Sequence, residues 1–279
     1  MNIRYARIIG VLVLAAALGG RGLAAQAEEA GADASFLRGM SLNGSTGLYS
    51  IPSGRIGWER TRDIGFDLGY HVIINGGGAA NIPKLGVSLL KWVELSFAFD
   101  VQPEGFLGNS RGADFIGGIK IQLPFKKSAI ALGGNYQSLN FSSSESQRHK
   151  AGQVYVAVSF LGQLFNTPAE TTVVIGKTFG SGAANWDIDF GMGFDMVLFP
   201  KTFGKYVHWV TDFSNFSYST ESFGAQAWGR GVLNTGIRID LTVIPVFKKY
   251  RFAVDVLVTD IFDENRAFAL GALFGIPIL

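Results

Sequence analysis

From Asp63 onward the chain alternates apolar and polar residues with a period of two, the pattern that sends successive side chains to opposite faces of a β-strand. The clearest stretch interleaves Ile64, Phe66, Leu68, Tyr70, Val72 and Ile74 with Asp63, Gly65, Asp67, Gly69 and His71. The same alternation recurs at 83–90, 93–101, 114–123, 128–137, 153–160, 169–178, 186–199, 207–214, 231–241, 250–259 and 267–276. Twelve segments are therefore expected, most of them close to the ~9 to 11 residues that a tilted strand needs to cross a bilayer. Their even number suits an antiparallel barrel whose first and last strands meet.

The connections carry a second rhythm. Those around Lys91 and Trp92, at 124–127 and at 200–206 are tight, and those near Pro168 and Pro245 are moderate. Those at 102–113, 138–152 and 215–230 are long and polar. Short turns at one end and long loops at the other are the habit of outer-membrane barrels. In eleven segments every charge falls on the more polar face; the segment at 169–178, with Thr and Val on both sides, has no decidable face. The polar face is mostly Gly, Ala, Ser, Asn, Gln and Asp. A soluble sandwich would instead show Lys and Glu to water.

Composition narrows the class. Apolar residues make up 48% of the chain and charged ones 16%, with 37 glycines, 8 prolines and no cysteine. Disorder is excluded by that balance, and disulfides and thiolate chemistry by the missing cysteine. Near the start, Arg4 and Arg7 precede an apolar run from Ile8 to Leu18, then small residues and Ala25, Gln26, Ala27. That order predicts a secretory signal peptide over 1–27, since about 11 apolar residues at ~1.5 Å each span only half of a bilayer core. Its removal takes away Arg4, Arg7 and Arg21 and no acid, so the net charge of +2 becomes −1. Residues 28–62 then form a periplasmic or lumen-inserted segment, with Trp58, Glu59 and Arg60 best able to pair with the wall. Residues 63–279 form the barrel: an all-β, antiparallel, up-and-down transmembrane fold of about twelve strands.

The signal peptide and strands together resemble bacterial outer-membrane β-barrel proteins of the porin kind. The block Ser45, Thr46, Gly47, Leu48, Tyr49, Ser50, Ile51, Pro52, Ser53, Gly54, with Gly69 and Tyr70 beyond it, resembles the opening of YjbH-like exopolysaccharide-associated outer-membrane proteins. In the last segment Phe268, Leu270, Ala272 and Phe274 look like the C-terminal signal read by the barrel-insertion machinery, although the chain ends at Leu279 rather than an aromatic. The resemblance implies a bacterial outer membrane as the location, its lipid and that machinery as partners, a periplasmic N-terminus and extracellular long loops. Aromatics at the tight turns, Trp92, Phe125, Phe160, Phe165, Phe199, Phe203, Phe247 and Tyr250, would form an interfacial girdle.

Chemistry on the polar face is sparse. His71, His149 and His208 are followed two residues on by Ile73, Ala151 and Val210, so none has the hydroxyl that an H-x-S pair needs on the same face. His208 and Asp212 share a face but stand about 13 Å apart at ~3.3 Å per residue. Asp187, Asp189 and Asp195 share one too, without the loop carbonyls of a calcium site. No enzyme activity, cofactor, metal or nucleic-acid partner is expected. The expected lumen instead holds Asp63, Asp67, Glu94, Asp100, Asp114, Asp187, Asp189, Asp195, Asp212, Asp240 and Asp255 against Lys84, Lys120, Arg238 and Arg251, with Tyr155 as its one evident aromatic. A carboxylate surplus favours cations. The expectation is a porin-like channel for small solutes or ions, with a non-conducting structural or surface-interaction barrel, linked to exopolysaccharide export, as the alternative. The loops 142–150 and 215–230, with Phe216, Tyr218, Phe223 and Trp228, are the candidates for contacts outside the cell.

Overall fold

The computed structural model describes residues 39–58, 63–75, 78–102, 112–123, 128–139, 149–180, 188–215, 231–262 and 266–278. The expected signal peptide, Glu59, Arg60, Phe125, Asp187 and most of the two long loops, Phe216, Tyr218, Phe223 and Trp228 among them, lie outside the described residues. Two short strands come first, β1 (Gly39–Met40) and β2 (Thr46–Gly47), which pair with each other outside the barrel sheet, and Gly47 also bridges to Pro52.

Twelve long strands follow: β3 (Ile64–Asn75), β4 (Gly78–Leu89), β5 (Val93–Gln102), β6 (Gly112–Leu123), β7 (Ser128–Leu139), β8 (His149–Leu164), β9 (Thr167–Gly180), β10 (Asp189–Val197), β11 (Val207–Ser214), β12 (Val232–Asp240), β13 (Arg251–Thr259) and β14 (Ala267–Pro277). Each pairs antiparallel with its neighbours in sequence, and β14 pairs with β3, so the sheet is a closed up-and-down barrel without an edge. The alternation at twelve positions along the chain thus becomes twelve strands. Closure leaves every strand's backbone groups hydrogen-bonded on both sides, which is what a sheet in hydrocarbon requires.

Five connections gather at one end. At 90–91 and 165–166 the residues Leu90, Lys91, Phe165 and Asn166 all have positive φ, the backbone of a two-residue turn that matches strand twist. Between β10 and β11 a four-residue helix, α1 (Pro200–Phe203), starts on a proline, and two short 3-10 turns at Leu241–Val243 and Pro245–Phe247 join β12 to β13. The long connections all leave from the far end.

The two faces differ sharply. Leu68, Tyr70, Leu132, Val154, Val156 and Leu270 point outward and are exposed, so the exterior is an apolar belt suited to lipid. Inward residues along the middle and the tight-turn half of the barrel are mostly buried, polar or not: Lys120, Arg238 and Asp212 are no more than 1% exposed. An eight-stranded barrel is just filled by its own side chains; twelve strands enclose more, and here residues 39–58 occupy the difference.

The outward face sets a depth-dependent cost for charge. Replacing Leu132, midway along β7, with Arg is expected to destabilise the barrel in lipid vesicles by about 2–4 kcal/mol, and Leu90→Arg at the turn by about 0–1 kcal/mol. Guanidinium unfolding of the two variants in the same vesicles measures the difference, and equal costs would contradict a bilayer-spanning exterior.

Candidate functional site: the lumen and its N-terminal segment

Residues 39–58 have little secondary structure of their own, so their backbone N–H groups need partners inside the barrel. Those of Ser41, Leu42, Gly44, Leu48 and Ser53 find carbonyls within the segment, and wall side chains supply acceptors for many of the others. Glu94 on β5 accepts from the N–H of Thr46 at 2.8 Å and of Gly57 at 3.0 Å, and also from the Thr46 hydroxyl. Asp212 on β11 accepts from the N–H groups of Tyr49 and Ser50 at 2.8 and 2.7 Å and from the Ser50 hydroxyl at 2.8 Å. The Ser159 hydroxyl and the Gln122 amide oxygen take the N–H groups of Gly54 and Ile56 at 2.9 and 3.1 Å. Arg55 pairs with Glu170 on β9, and the Trp58 ring N–H donates to Asp67 at 3.1 Å. The carbonyls are answered by lysine: Lys84 donates to Met40 and Ser41, each at 3.0 Å, and Lys120 to Thr46 at 2.8 Å.

Above this polar root lies an apolar layer. Leu42, Leu48, Tyr49 and Ile51 pack against inward residues of the wall that include Ile73, Ile82, Ile116, Val174, Val210 and Leu257. Tyr155, the aromatic expected in the lumen, belongs to the same layer. Burying one such side chain is worth roughly 1.5–3 kcal/mol, so the layer adds to the hydrogen bonds in holding the segment. Glycine makes the fit possible. A Cβ at Gly193 of β10 would collide with Leu48 and one at Gly54 with the backbone of Ala129.

A buried chain of charged and polar groups runs around half the circumference. Lys84 Nζ lies 2.7 Å from His71 Nδ1, and His71 Nε2 lies 3.6 Å from Asp255. Arg238 then grips Asp255 with two N–H groups at 2.8 and 3.1 Å and reaches Asp195 at 3.2 Å. Asp195 in turn meets His208 Nδ1 at 2.6 Å, and His208 Nε2 lies 3.0 Å from the Lys205 carbonyl. The chain crosses β14 at Gly271, where a side chain would strike the His71 ring. Near the far end Asp189 accepts from Thr178 at 2.6 Å and from Gln153 at 3.2 Å.

The structure places the expected residues as follows. Asp67, Lys84, Glu94, Lys120, Asp195, Asp212, Arg238, Asp240, Arg251 and Asp255 are inward and buried; Asp100, Asp114 and Asp189 are inward and half-buried toward the far end. Asp63 is the exception. It precedes the first residue of β3, stands exposed at the tight-turn rim and pairs with Lys91 at 3.2 Å. Asp187 lies outside the described residues. Glu170 is an inward acid that alternation does not reveal, because β9 carries Thr and Val on both faces; its burial beside Arg55 marks Thr172, Val174 and Gly176 as the inner side. His208 and Asp212 share the inner face without touching: His208 holds Asp195 and Asp212 holds the N-terminal segment. No group of three or more His, Asp or Glu side chains suited to a metal ion occurs among the described residues.

No protein-family model and no curated protein matches this sequence. Among solved structures the chain is similar in fold to the KdgM porin in complex with disordered oligogalacturonate, with a TM-score of 0.48 and 8% identity over 76% of this chain and 99% of that one. Similar too are LpxR from Salmonella typhimurium, at 0.45 and 9% over 77% and 100%, and the outer membrane protein Omp33 of Acinetobacter baumannii, at 0.43 and 8% over 76% and 97%.

Two outcomes follow from this geometry. Because the chain has no cysteine, a Ser50→Cys variant carries a single thiol, which a membrane-impermeant maleimide is expected to label slowly; adding Asp212→Ala, which removes the acceptor for the backbone N–H groups of residues 49 and 50, should raise the labelling rate at least several-fold. Arg238→Met, which leaves Asp255 and Asp195 with histidine neighbours in place of the guanidinium, is expected to cost about 3–5 kcal/mol, read from denaturant unfolding, whereas a loss below about 1 kcal/mol would mean that the charge chain is not a structural element.

Proposed function

We propose that this protein is an outer-membrane channel for small solutes, cation-preferring when open, whose N-terminal segment closes the lumen in the structure described. The observation that carries the reading is the sign of the wall. Among the described strand residues ten inward carboxylates, the nine expected ones other than Asp63 and Asp187 together with Glu170, face Lys84, Lys120, Arg238 and Arg251, with Arg55 added by the segment. With the segment in place, Glu94 and Asp212 are satisfied by its N–H groups; with it displaced, they line a water-filled path that attracts cations.

The tight-turn end, from which the N-terminal segment enters, faces the periplasm in this reading, and the longer connections face outward. On β14 the side chains of Phe268, Leu270 and Ala272 are outward and exposed, as a strand offered to the insertion machinery would present them. The reading is not enzymatic: the buried histidines His71 and His208 are engaged in the charge chain.

A second reading is favoured by the apolar layer. Leu42, Leu48, Tyr49 and Ile51 seal the interior as a core does, and a barrel that stays sealed would act through its surface, including exopolysaccharide-linked roles of the kind that the Ser45 to Gly54 block suggests. Planar-bilayer recording separates the two. The full mature chain is expected to be mostly closed, and an in-frame deletion of residues 39–58 to give steady currents with a reversal potential shifted toward the cation in a salt gradient. A folded deletion variant that passes no current would leave the sealed barrel standing.

A further inference from the structure

The connections at the tight-turn end repeat a composition that neither channel nor plug explains. Residues 199–206 read Phe-Pro-Lys-Thr-Phe-Gly-Lys-Tyr and residues 244–250 read Ile-Pro-Val-Phe-Lys-Lys-Tyr. Each holds a proline, a phenylalanine two or three residues later, two lysines and a closing tyrosine, and neither contains an acid. Residues 124–127, which lie outside the described residues, repeat Pro-Phe-Lys-Lys in a third connection of the same end.

The two described copies are neighbours. They join β10 to β11 and β12 to β13, and the Asp240 N–H donates to the Tyr206 carbonyl at 2.7 Å, tying one connection to the strand that feeds the other. Both fold alike, with proline opening a single helical turn and the tyrosine N–H closing it onto the phenylalanine carbonyl, at 3.1 Å for Tyr206 and 2.8 Å for Tyr250. Phe199 is 66% exposed and Val246 72%, and Lys201, Lys205, Lys248 and Lys249 are all exposed beside them.

The apolar part of this patch continues the lipid-facing belt. Phe247 packs edge-on against Phe252 at 5.2 Å between ring centres, and Tyr250 stacks on Phe274 at 5.6 Å; Phe252 and Phe274 are outward residues of β13 and β14. A surface in which bare aromatics merge with a bilayer-facing wall and carry lysines at their outer edge matches the headgroup layer. Aromatic rings favour that depth, lysine stems reach along apolar surface to place the ammonium at a phosphate, and each lysine near an anionic leaflet adds attraction.

We propose that the tight-turn end of the barrel is a docking surface for anionic phospholipid headgroups, with Lys201, Lys205, Lys248 and Lys249 as the phosphate-binding groups and Phe199 and Val246 seated in the interface. The proposal rests on the barrel spanning a bilayer and is independent of whether it conducts. It also explains why the moderate connections are short amphipathic turns when two residues suffice at 90–91 and 165–166: the extra residues build a collar that lies along the membrane.

The test uses full-length protein refolded into phosphatidylcholine vesicles. Spin-labelled phosphatidylglycerol or spin-labelled phosphatidylcholine is added in trace amounts, and the motionally restricted fraction of each is read by electron spin resonance. The wild-type barrel is expected to restrict phosphatidylglycerol with a several-fold preference that falls as salt is raised. The variant Lys201→Gln/Lys205→Gln/Lys248→Gln/Lys249→Gln should restrict both lipids equally. Lys150→Gln/Lys177→Gln, at the far end, should keep the wild-type preference. No preference in the wild type would overturn the proposal, as would a preference that survives the fourfold change or is lost equally in the far-end variant. Heat-dependent gel migration of each sample reports barrel insertion separately, so a failure of the membrane-barrel reading is distinguishable from a failure of headgroup docking.

Discussion

An extended chain inside a barrel has the same difficulty as one inside a bilayer: its N–H groups have left water and must find acceptors. Glu94 and Asp212 meet much of that need, each accepting two backbone N–H groups from a segment whose own backbone bonds, among them Leu42 to Tyr49, Leu48 to Ile51 and Ser53 to Thr46, leave the rest without an internal partner. Charged acceptors make stronger hydrogen bonds than neutral ones, and the donors in turn relieve carboxylates that burial alone would disfavour. The segment needs the acids and the acids need the segment. Without the segment Asp212 would keep only the Asn234 amide and Glu94 only Lys120, whereas Asp67, Asp195 and Asp255 are matched by cations of the wall itself.

The barrel itself is legible in the sequence because its strands answer to one rule. Lipid outside and protein inside impose a two-residue period, and that period can be read without knowing what fills the lumen. The inner face follows from the same parity, so parity alone places Asp67, Lys84, Glu94, Asp195 and Arg238 on it. Two exceptions are instructive. Asp63 has the right parity but lies before β3 begins, where parity ceases to mean a face. Glu170 escapes because Thr and Val on both sides of β9 carry no preference, so nothing local reveals which side is inner.

What the wall residues bind is not legible in the same way, and the reason is physical. The segment 39–58 is neither helix nor strand for most of its length, so it has no period to read. Trp58 is an expected partner of the wall, and it does reach Asp67; the larger share falls to Thr46, Tyr49, Ser50, Gly54 and Arg55, whose contribution comes mainly from backbone N–H groups that every sequence possesses. A signal exists in the spacing of Leu42, Leu48, Ile51 and Ile56 among small residues. Large apolar side chains separated by Gly and Ser suit a narrow enclosure, where a few anchors fill space and everything else must be thin.

Trp58 lies where the barrel closes. A Cβ at Gly65 of β3 or at Gly275 of β14 would meet its ring, and Gly275 stands opposite Asp67, the residue that holds the indole N–H and pairs with Arg251. A slip of β14 by one residue would turn Phe274 or Ile276 inward against that ring. The root of the N-terminal segment therefore acts as a gauge for the last strand: only the register that brings a glycine to this point lets the first and last strands join, so the residues that fill the lumen also proofread the seam that seals it.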